Sequence, residues 1–285
     1  MAFNYITAQE AAEMIKDGDS LGLSGFTAPG SPKVITEALA ARAEREHEAG
    51  RPFKVNIFSG ASTSDHADGV LSRANAINMR APYQNLPDLR KRINAHDCHY
   101  FDRHLSEMAQ EMRYGFYGKL DYAIIEAADI NDNGEIILGC GLGNIPTYAM
   151  LAEKIFIELN EQLPKGLMGM HDVILLQDPP RRREIPIYHA NDRIGSPVLK
   201  IDPAKVVGIV RTKSYDGVKP FTAPDEVSKQ IGSNVVKFLV SEYLSGRLPK
   251  EFLPLQSGVG NVANAVLYDL GESKELPPFM MYTEV

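Results

Sequence analysis

The sequence predicts an α/β fold whose sheet is covered on both faces. Val- and Ile-rich runs of strand length ("FKVNIFSG", "KLDYAIIEAADI", "EKIFIELN", "HDVILL", "AKVVGIV") are continuously apolar rather than alternating, as strands buried on two sides must be. Helical patterns such as "PTYAMLAE" separate several of them, and no internal repeat or low-complexity linker interrupts the alternation, which points to a layered α/β arrangement.

The elements follow in order. Thr7-Ala8-Gln9-Glu10 is a capping box, with hydroxyl and carboxylate placed to satisfy early helical N–H groups. The helix it opens runs through Ala11, Met14 and Ile15 to a stop at Gly18. "SLGLSG" is a short strand ending in glycine, followed by the loop "FTAPGSPK". Ser31 and Pro32 read as the N-cap and first position of the amphipathic helix "KVITEALAARAEREHEAG". A boundary is expected near "DGVKPFTAPDE", where turn residues precede the long helical pattern "DEVSKQIGSNVVKFLVSEYLSGRLP". After it come "EFLPLQSGVGNVANAVLYDLG" and a terminal apolar stretch, too little to bury a core of its own. The expectation is one domain over residues 1–220 and the beginning of another over 221–285.

Composition narrows the function. The 285 residues are 44% hydrophobic and carry a formal net charge of −7, ordinary for a globular protein and unfavourable for binding a nucleic-acid backbone. The one tight basic run, Arg181-Arg182-Arg183, reads as a solvated loop. No stretch reaches the roughly 20 apolar residues of a membrane span, and the N-terminus lacks the basic and apolar regions of a signal peptide. Cys98 and Cys140 stand in unrelated contexts, and the seven histidines show no metal spacing. A cytoplasmic, reduced, metal-free protein is the expectation.

Three glycine-rich turns stand out: "SGFTAPGSPK", "GCGLGNIPT" and "QSGVGNVANAV". The third contains Gly258-x-Gly260-x-x-Ala263, formally a dinucleotide fingerprint. That motif needs a preceding strand and an acid about 20 residues on. Here Pro254 interrupts any strand and position 278 is Pro278. As a loop whose bare main chain approaches a ligand and whose helix N-terminus meets negative charge, it fits better. Ser62 in "SGASTS" has no nucleophile elbow around it, and "HDCHY" around Cys98 carries no catalytic signature. The last nine residues, "PPFMMYTEV", place one carboxylate, Glu284, in an otherwise apolar strand. Desolvation makes such a group costly and more nucleophilic.

Taken together, "SGFTAPGSPK", "SGAST", "RAPYQ…LRKRIN", "FDRHLSEMAQ", "YGKLDYAIIEA", "PLQSGVGNVANAVL" and "PPFMMYTEV" resemble the acetyl-CoA hydrolase/transferase family of class I CoA-transferases along essentially the whole chain. The resemblance is to the branch acting on succinyl-CoA with acetate or propionate. It implies an open α/β/α layered CoA-transferase domain, with the start of a second, similar one. It assigns Glu284 as the nucleophile that forms a glutamyl-CoA thioester, and the Val259 main-chain N–H as oxyanion donor. Gln256, Ser257, Gly258, Gly260 and Asn261 then line the CoA and substrate site. Ser62 and Arg193 ("NDRIGSP") match polar residues of that site, Arg193 as a clamp for the substrate carboxylate. Coenzyme A and its thioesters are substrates; no permanent cofactor or metal is implied. A homodimer is expected, together with a C-terminal domain that this sequence does not contain and that activity requires. The alternatives are acyl-CoA hydrolysis, and a CoA-binding subunit working with a partner chain.

Overall fold

Residues 3–218, 222–252, 255–258 and 260–283 are described by a computed structural model. The chain divides into two units, Met1–Glu184 with Ile194–Val218, and Ile185–Arg193 with Lys219–Val285.

The first unit is organised by a sheet of nine strands. These are β1 (Ser20–Leu23), β2 (Val55–Ser62), β3 (Ile77–Gln84), β4 (His99–Tyr100), β5 (Tyr122–Ile130), β6 (Glu135–Leu138), β7 (Lys154–Asn160), β8 (Leu199–Lys200) and β9 (Val206–Thr212). Strands β4-β3-β2-β1-β5-β7-β9 are parallel neighbours. Strands β1 and β7 pair with the same residues of β5 and so flank it. Past the end of β1, antiparallel β6 takes over that edge and is followed by β8. The edge of β5 is therefore shared, and the loop leaving β1 must turn aside there.

Helices α1 (Ala8–Met14), α2 (Val34–Glu48), α3 (Val70–Arg73) and α4 (Pro87–Asn94) cover one face. Leu39 and Leu71 pack there with Leu23, Ile57, Ile124 and Phe156. Helices α5 (Leu105–Arg113) and α6 (Ile145–Leu151) cover the other, where Met108 and Tyr148 meet Ala123, Ile125 and Ile157. Successive residues of β5 feed opposite cores, which is why its sequence is apolar throughout.

The capping box at α1 is present: Glu10 N donates to Thr7 Oγ1 at 3.1 Å, and Thr7 N to Glu10 Oε2 at 2.8 Å. Two expectations need correction. Helix α2 begins at Val34, not at Pro32. Ser31 turns its hydroxyl to Ala28 O and to Ser64 Oγ instead of capping, because a distant carboxylate supplies the cap. "HDVILL" is not a strand. Val173 makes one isolated antiparallel bridge to Ser196, Ile174 and Leu175 are exposed, and Asp172 accepts the Ile194 and Gly195 amides at 2.9 and 2.7 Å.

Strand β3 holds an arginine that no solvent reaches. Arg80 meets Asp68, equally buried, through Nε–Oδ1 at 2.9 Å and Nη2–Oδ2 at 3.0 Å. It also donates to Ser59 Oγ, Tyr83 O and Ala81 O. A buried charge tolerates this position because its donors are met in fork geometry.

In the second unit, α7 (Glu226–Leu244) starts at Asp225, whose carboxylate accepts Ser228 N at 2.7 Å. It packs on α8 (Asn261–Glu272), with Gly232 set against the Ala265 main chain. Strands β10 (Gln256–Ser257) and β11 (Tyr282–Thr283) run parallel.

Asp68→Ala leaves the Arg80 guanidinium buried without its counter-charge. Urea unfolding of this variant is expected to show a loss of about 3–5 kcal/mol; a loss under about 1 kcal/mol would contradict the ion-paired reading of β3.

Candidate active site

Turns leaving the carboxyl ends of β1 and β2, and the turn after β6, converge in the first unit, the region where open α/β sheets hold ligands. They pack main chain on main chain. A Cβ on Gly30 (φ +75°) would stand 2.4 Å from Gly141 O, and one on Gly143 (φ +60°) 2.3 Å from Gly25 O. The first two glycine-rich turns of the sequence are therefore glycine-rich because they close on each other.

Beneath them lies a buried polar cluster that sequence reasoning did not single out. The Lys33 side chain is 1% exposed, and its ammonium meets Glu126 Oε1, Asp216 Oδ1 at 2.9 Å and Ser31 O at 3.0 Å. All three of its donors are used. Asn160 Nδ2 donates to Glu126 Oε1 at 2.8 Å and to Ser214 O at 2.7 Å. Glu126 and Glu158 are register partners on β5 and β7. Both Glu158 oxygens accept main-chain N–H groups, from Lys33 and Ile35, each at 2.7 Å. That carboxylate is the cap that moves the start of α2.

Burial pulls the Lys33 ammonium down, but the Glu126 and Asp216 carboxylates outweigh it and leave the lysine above its ordinary value. Burial pushes the Glu126 carboxyl up against the pull of Lys33. Glu158, fully enclosed, is pushed up to about 7 by desolvation, against its two amide donors.

Ser62, the last residue of β2, belongs to the first unit. It is buried, pairs with Gln84 and bridges to Thr27 in the first glycine turn. Its Oγ accepts the Ser64 amide at 3.4 Å. The other expected site residues belong to the second unit. Arg193 is exposed on the Ile185–Arg193 segment. Gln256 is exposed and Ser257 half-buried on β10, which begins only two residues after Pro254. Gly258 and Gly260 are exposed, and Gly260 (φ +138°) precedes α8 in a conformation that favours glycine. Asn261 opens α8 and accepts from Thr222 Oγ1 at 3.4 Å. Val259 and Glu284 lie outside the described residues. The structure does bring together the two stretches that lead to them: Gln256 registers with Tyr282, and Ser257 with Thr283.

Residues 3–211 match the family model of the acetyl-CoA hydrolase/transferase N-terminal domain. The chain belongs to the acetyl-CoA hydrolase/transferase family. It is 46% identical over 98% of its length to the propanoyl-CoA:succinate CoA transferase of Escherichia coli K12, covering 57% of that protein. It is 43% identical to the succinyl-CoA:acetate CoA-transferase of Clostridium kluyveri and 37% to the acetyl-CoA hydrolase of Saccharomyces cerevisiae, again over 98% of this chain. Those alignments cover 51% and 53% of the two relatives. The chain thus spans about half the length of the curated relatives it matches. Its fold is that of RipA from Yersinia pestis, with a TM-score of 0.67 at 19% identity over 99% of this chain and 56% of that one.

In this family member the matched stretch contains the paired glycine turns, Lys33, Glu126 and Glu158, while the β10–α8 turn lies beyond it. Cys98 is buried and its thiol is pushed up to about 11 by desolvation, which makes it inert. Among the described residues, no helix is long and apolar enough to cross a membrane.

The folded chain holds on to the Glu158 proton between pH 4.5, the ordinary value, and about 7. The unfolded chain releases it across that window, so this group's contribution to stability is full below it and falls as pH rises through it. Glu158→Gln should flatten the dependence by on the order of 1 kcal/mol per pH unit. Parallel stability–pH curves for the two proteins would show that Glu158 does not titrate with folding.

Proposed function

We propose that this protein moves coenzyme A between succinyl-CoA and a short-chain carboxylate, acetate or propionate, through a glutamyl-CoA thioester on Glu284. The observation that supports the reading best is the parallel register of β10 and β11. Parallel neighbours send their chains onward in the same direction. Val259 follows Ser257 by two residues and Glu284 follows Thr283 directly, so the candidate oxyanion donor and nucleophile succeed paired residues. The transferase relatives supply the substrate class.

The chemistry balances without an external oxidant, nucleotide or metal. A Glu284 carboxylate oxygen attacks the thioester carbonyl, the C–S bond breaks, and CoA leaves as thiolate from a mixed anhydride. The thiolate attacks the glutamyl carbonyl, the anhydride C–O bond breaks, and the first acid departs as its carboxylate. A second carboxylate runs the steps backwards and leaves as the new acyl-CoA. Each addition creates an oxyanion, for which the Val259 N–H is the proposed donor; losing one such donor costs about 100- to 1000-fold. Gln256, Ser257 and Asn261 border that turn, while Gly258 and Gly260 leave its main chain open to a thioester. Arg193 is proposed to clamp the acid substrate in bidentate fashion, and Ser62 to contribute a polar contact. A second reading, acyl-CoA hydrolysis, is favoured by the yeast relative's name: water intercepts the anhydride or the thioester.

The test is mass spectrometry of the complete enzyme after succinyl-CoA, with and without borohydride. Borohydride reduces the enzyme thioester to an alcohol, and the expected mass change falls on the peptide carrying Glu284. Glu284→Ala should abolish transfer without altering the folded spectrum. Wild-type transfer by that variant would sink the assignment, and thioester loss without an acceptor acid would select hydrolysis.

A further inference from the structure

A row of three polar residues crosses the carboxyl ends of the strands in the first unit. Thr27, in the turn leaving β1, bridges to Ser62 at the end of β2, and Ser62 stands in register with Gln84 at the end of β3. In-register neighbours turn their side chains to the same face of a sheet. Gln84 Oε1 is shut off from solvent and accepts no hydrogen bond from the described residues. Ser62 is 6% exposed, and its Oγ accepts the Ser64 amide at 3.4 Å while donating to none of the described residues. Buried polar atoms are nearly always paired, so an enclosed acceptor beside an uncommitted hydroxyl points to a ligand group that donates to one and accepts from the other. Thr27 holds the end of the row at φ +55°, a costly conformation for a β-branched residue and one kept where function demands it. Its N–H donates to Ala61 O at 2.7 Å and its carbonyl accepts Thr63 N at 3.4 Å, which clamps the turn on both sides of Ser62. Thr27 and Gln84 are half-buried, so the row reaches the surface. A carboxylate only accepts and leaves Gln84 Oε1 unmatched. Arg80 of the same strand, which would draw an anion, is committed to Asp68, Ser59 and main-chain carbonyls. A secondary amide carries one N–H and one C=O. Acyl-CoA has such amides in its pantetheine arm, and the acid substrates have none.

We propose that Ser62 and Gln84 form an amide subsite for the pantetheine arm of acyl-CoA. Gln84 Oε1 accepts the amide N–H, the Ser62 hydroxyl donates to the amide carbonyl, and the clamped Thr27 fixes the Ser62 end of the row. This rests on the CoA-transfer reading above and names the ligand group that the polar contact of Ser62 serves.

The experiment compares the complete enzyme with Ser62→Ala, Gln84→Leu and Gln84→Glu by calorimetric CoA binding, KM for succinyl-CoA and for acetate, inhibition by free pantetheine and by adenosine 3′,5′-bisphosphate, and thermal unfolding. Ser62→Ala and Gln84→Leu should each weaken CoA and succinyl-CoA about 5- to 10-fold, the effect of one lost hydrogen bond. The acetate KM and the unfolding midpoint should not move. Pantetheine should inhibit more weakly by the same factor, and the bisphosphate as before. Gln84→Glu, which keeps an acceptor for the amide N–H, should bind CoA as the wild type does. Unchanged CoA and pantetheine affinity in Ser62→Ala and Gln84→Leu would overturn the subsite. A raised acetate KM with unchanged CoA binding would overturn it in favour of an acid pocket, and Gln84→Glu would then be the most impaired variant because it sets like charge against the acid. Weaker CoA binding that tracks a lower unfolding midpoint in all three variants would also overturn it. A wild-type enzyme that binds CoA but transfers none would remove the transfer reading, while calorimetry on the variants would still decide the subsite. One that binds no CoA would remove both.

Discussion

One ammonium group, that of Lys33, is the constraint around which the first unit is arranged. A lysine removed from water is tolerated only when its donors are all met and an opposite charge stands beside it. Meeting them here takes a carboxylate from β5, another from the segment after β9, and the carbonyl of Ser31 in the glycine turn. The turn must then fold back over the ends of the strands, and it can do so only because Gly30 and Gly141 allow main chains to touch. The adjoining main chain of the same lysine is held by Glu158, so one residue fixes the turn, the start of α2 and two strand positions. Two acids directly opposite each other on neighbouring strands would ordinarily repel. The ammonium beside Glu126, and the proton that burial favours on Glu158, remove that conflict.

The alternation of elements was legible because it is local. Strands β1, β2, β5, β7 and β9, and helices α1, α6, α7 and α8, carry their periodicity and stop signals in their own residues. What was not legible depends on partners far away. Ser31 and Pro32 form a sound local start signal, yet α2 begins later because its cap comes from Glu158, more than a hundred residues on. Strand β3 does not read as buried, since an arginine stands in its middle and the Asp68 that neutralises it belongs to another element. "HDVILL" reads as a strand from composition, but β-propensity is a statement about having a neighbour to pair with. Only Val173 finds one.

The site shows the same limit from the other side. A lone carboxylate in an apolar strand drew attention to Glu284, and that reasoning applies equally to Glu126 in "AIIEAAD" and Glu158 in "IFIELN". Sequence alone does not separate the three, because it does not say which groups hold a carboxylate. Glu158 has both oxygens engaged by amides. Glu126 has one oxygen on Lys33 and Asn160, and its other is sealed from solvent without a partner. A nucleophile must keep an oxygen free and reachable by its electrophile. Neither of these two acids meets that condition, since both are buried. They instead hold Lys33, and with it the glycine turn and the start of α2. The nucleophile proposed above, Glu284, needs the opposite condition, an oxygen that nothing holds. The first unit uses its buried acids to hold position, with Glu158 on the start of α2 and Glu126 on the Lys33 ammonium, and that is why neither is proposed as the nucleophile.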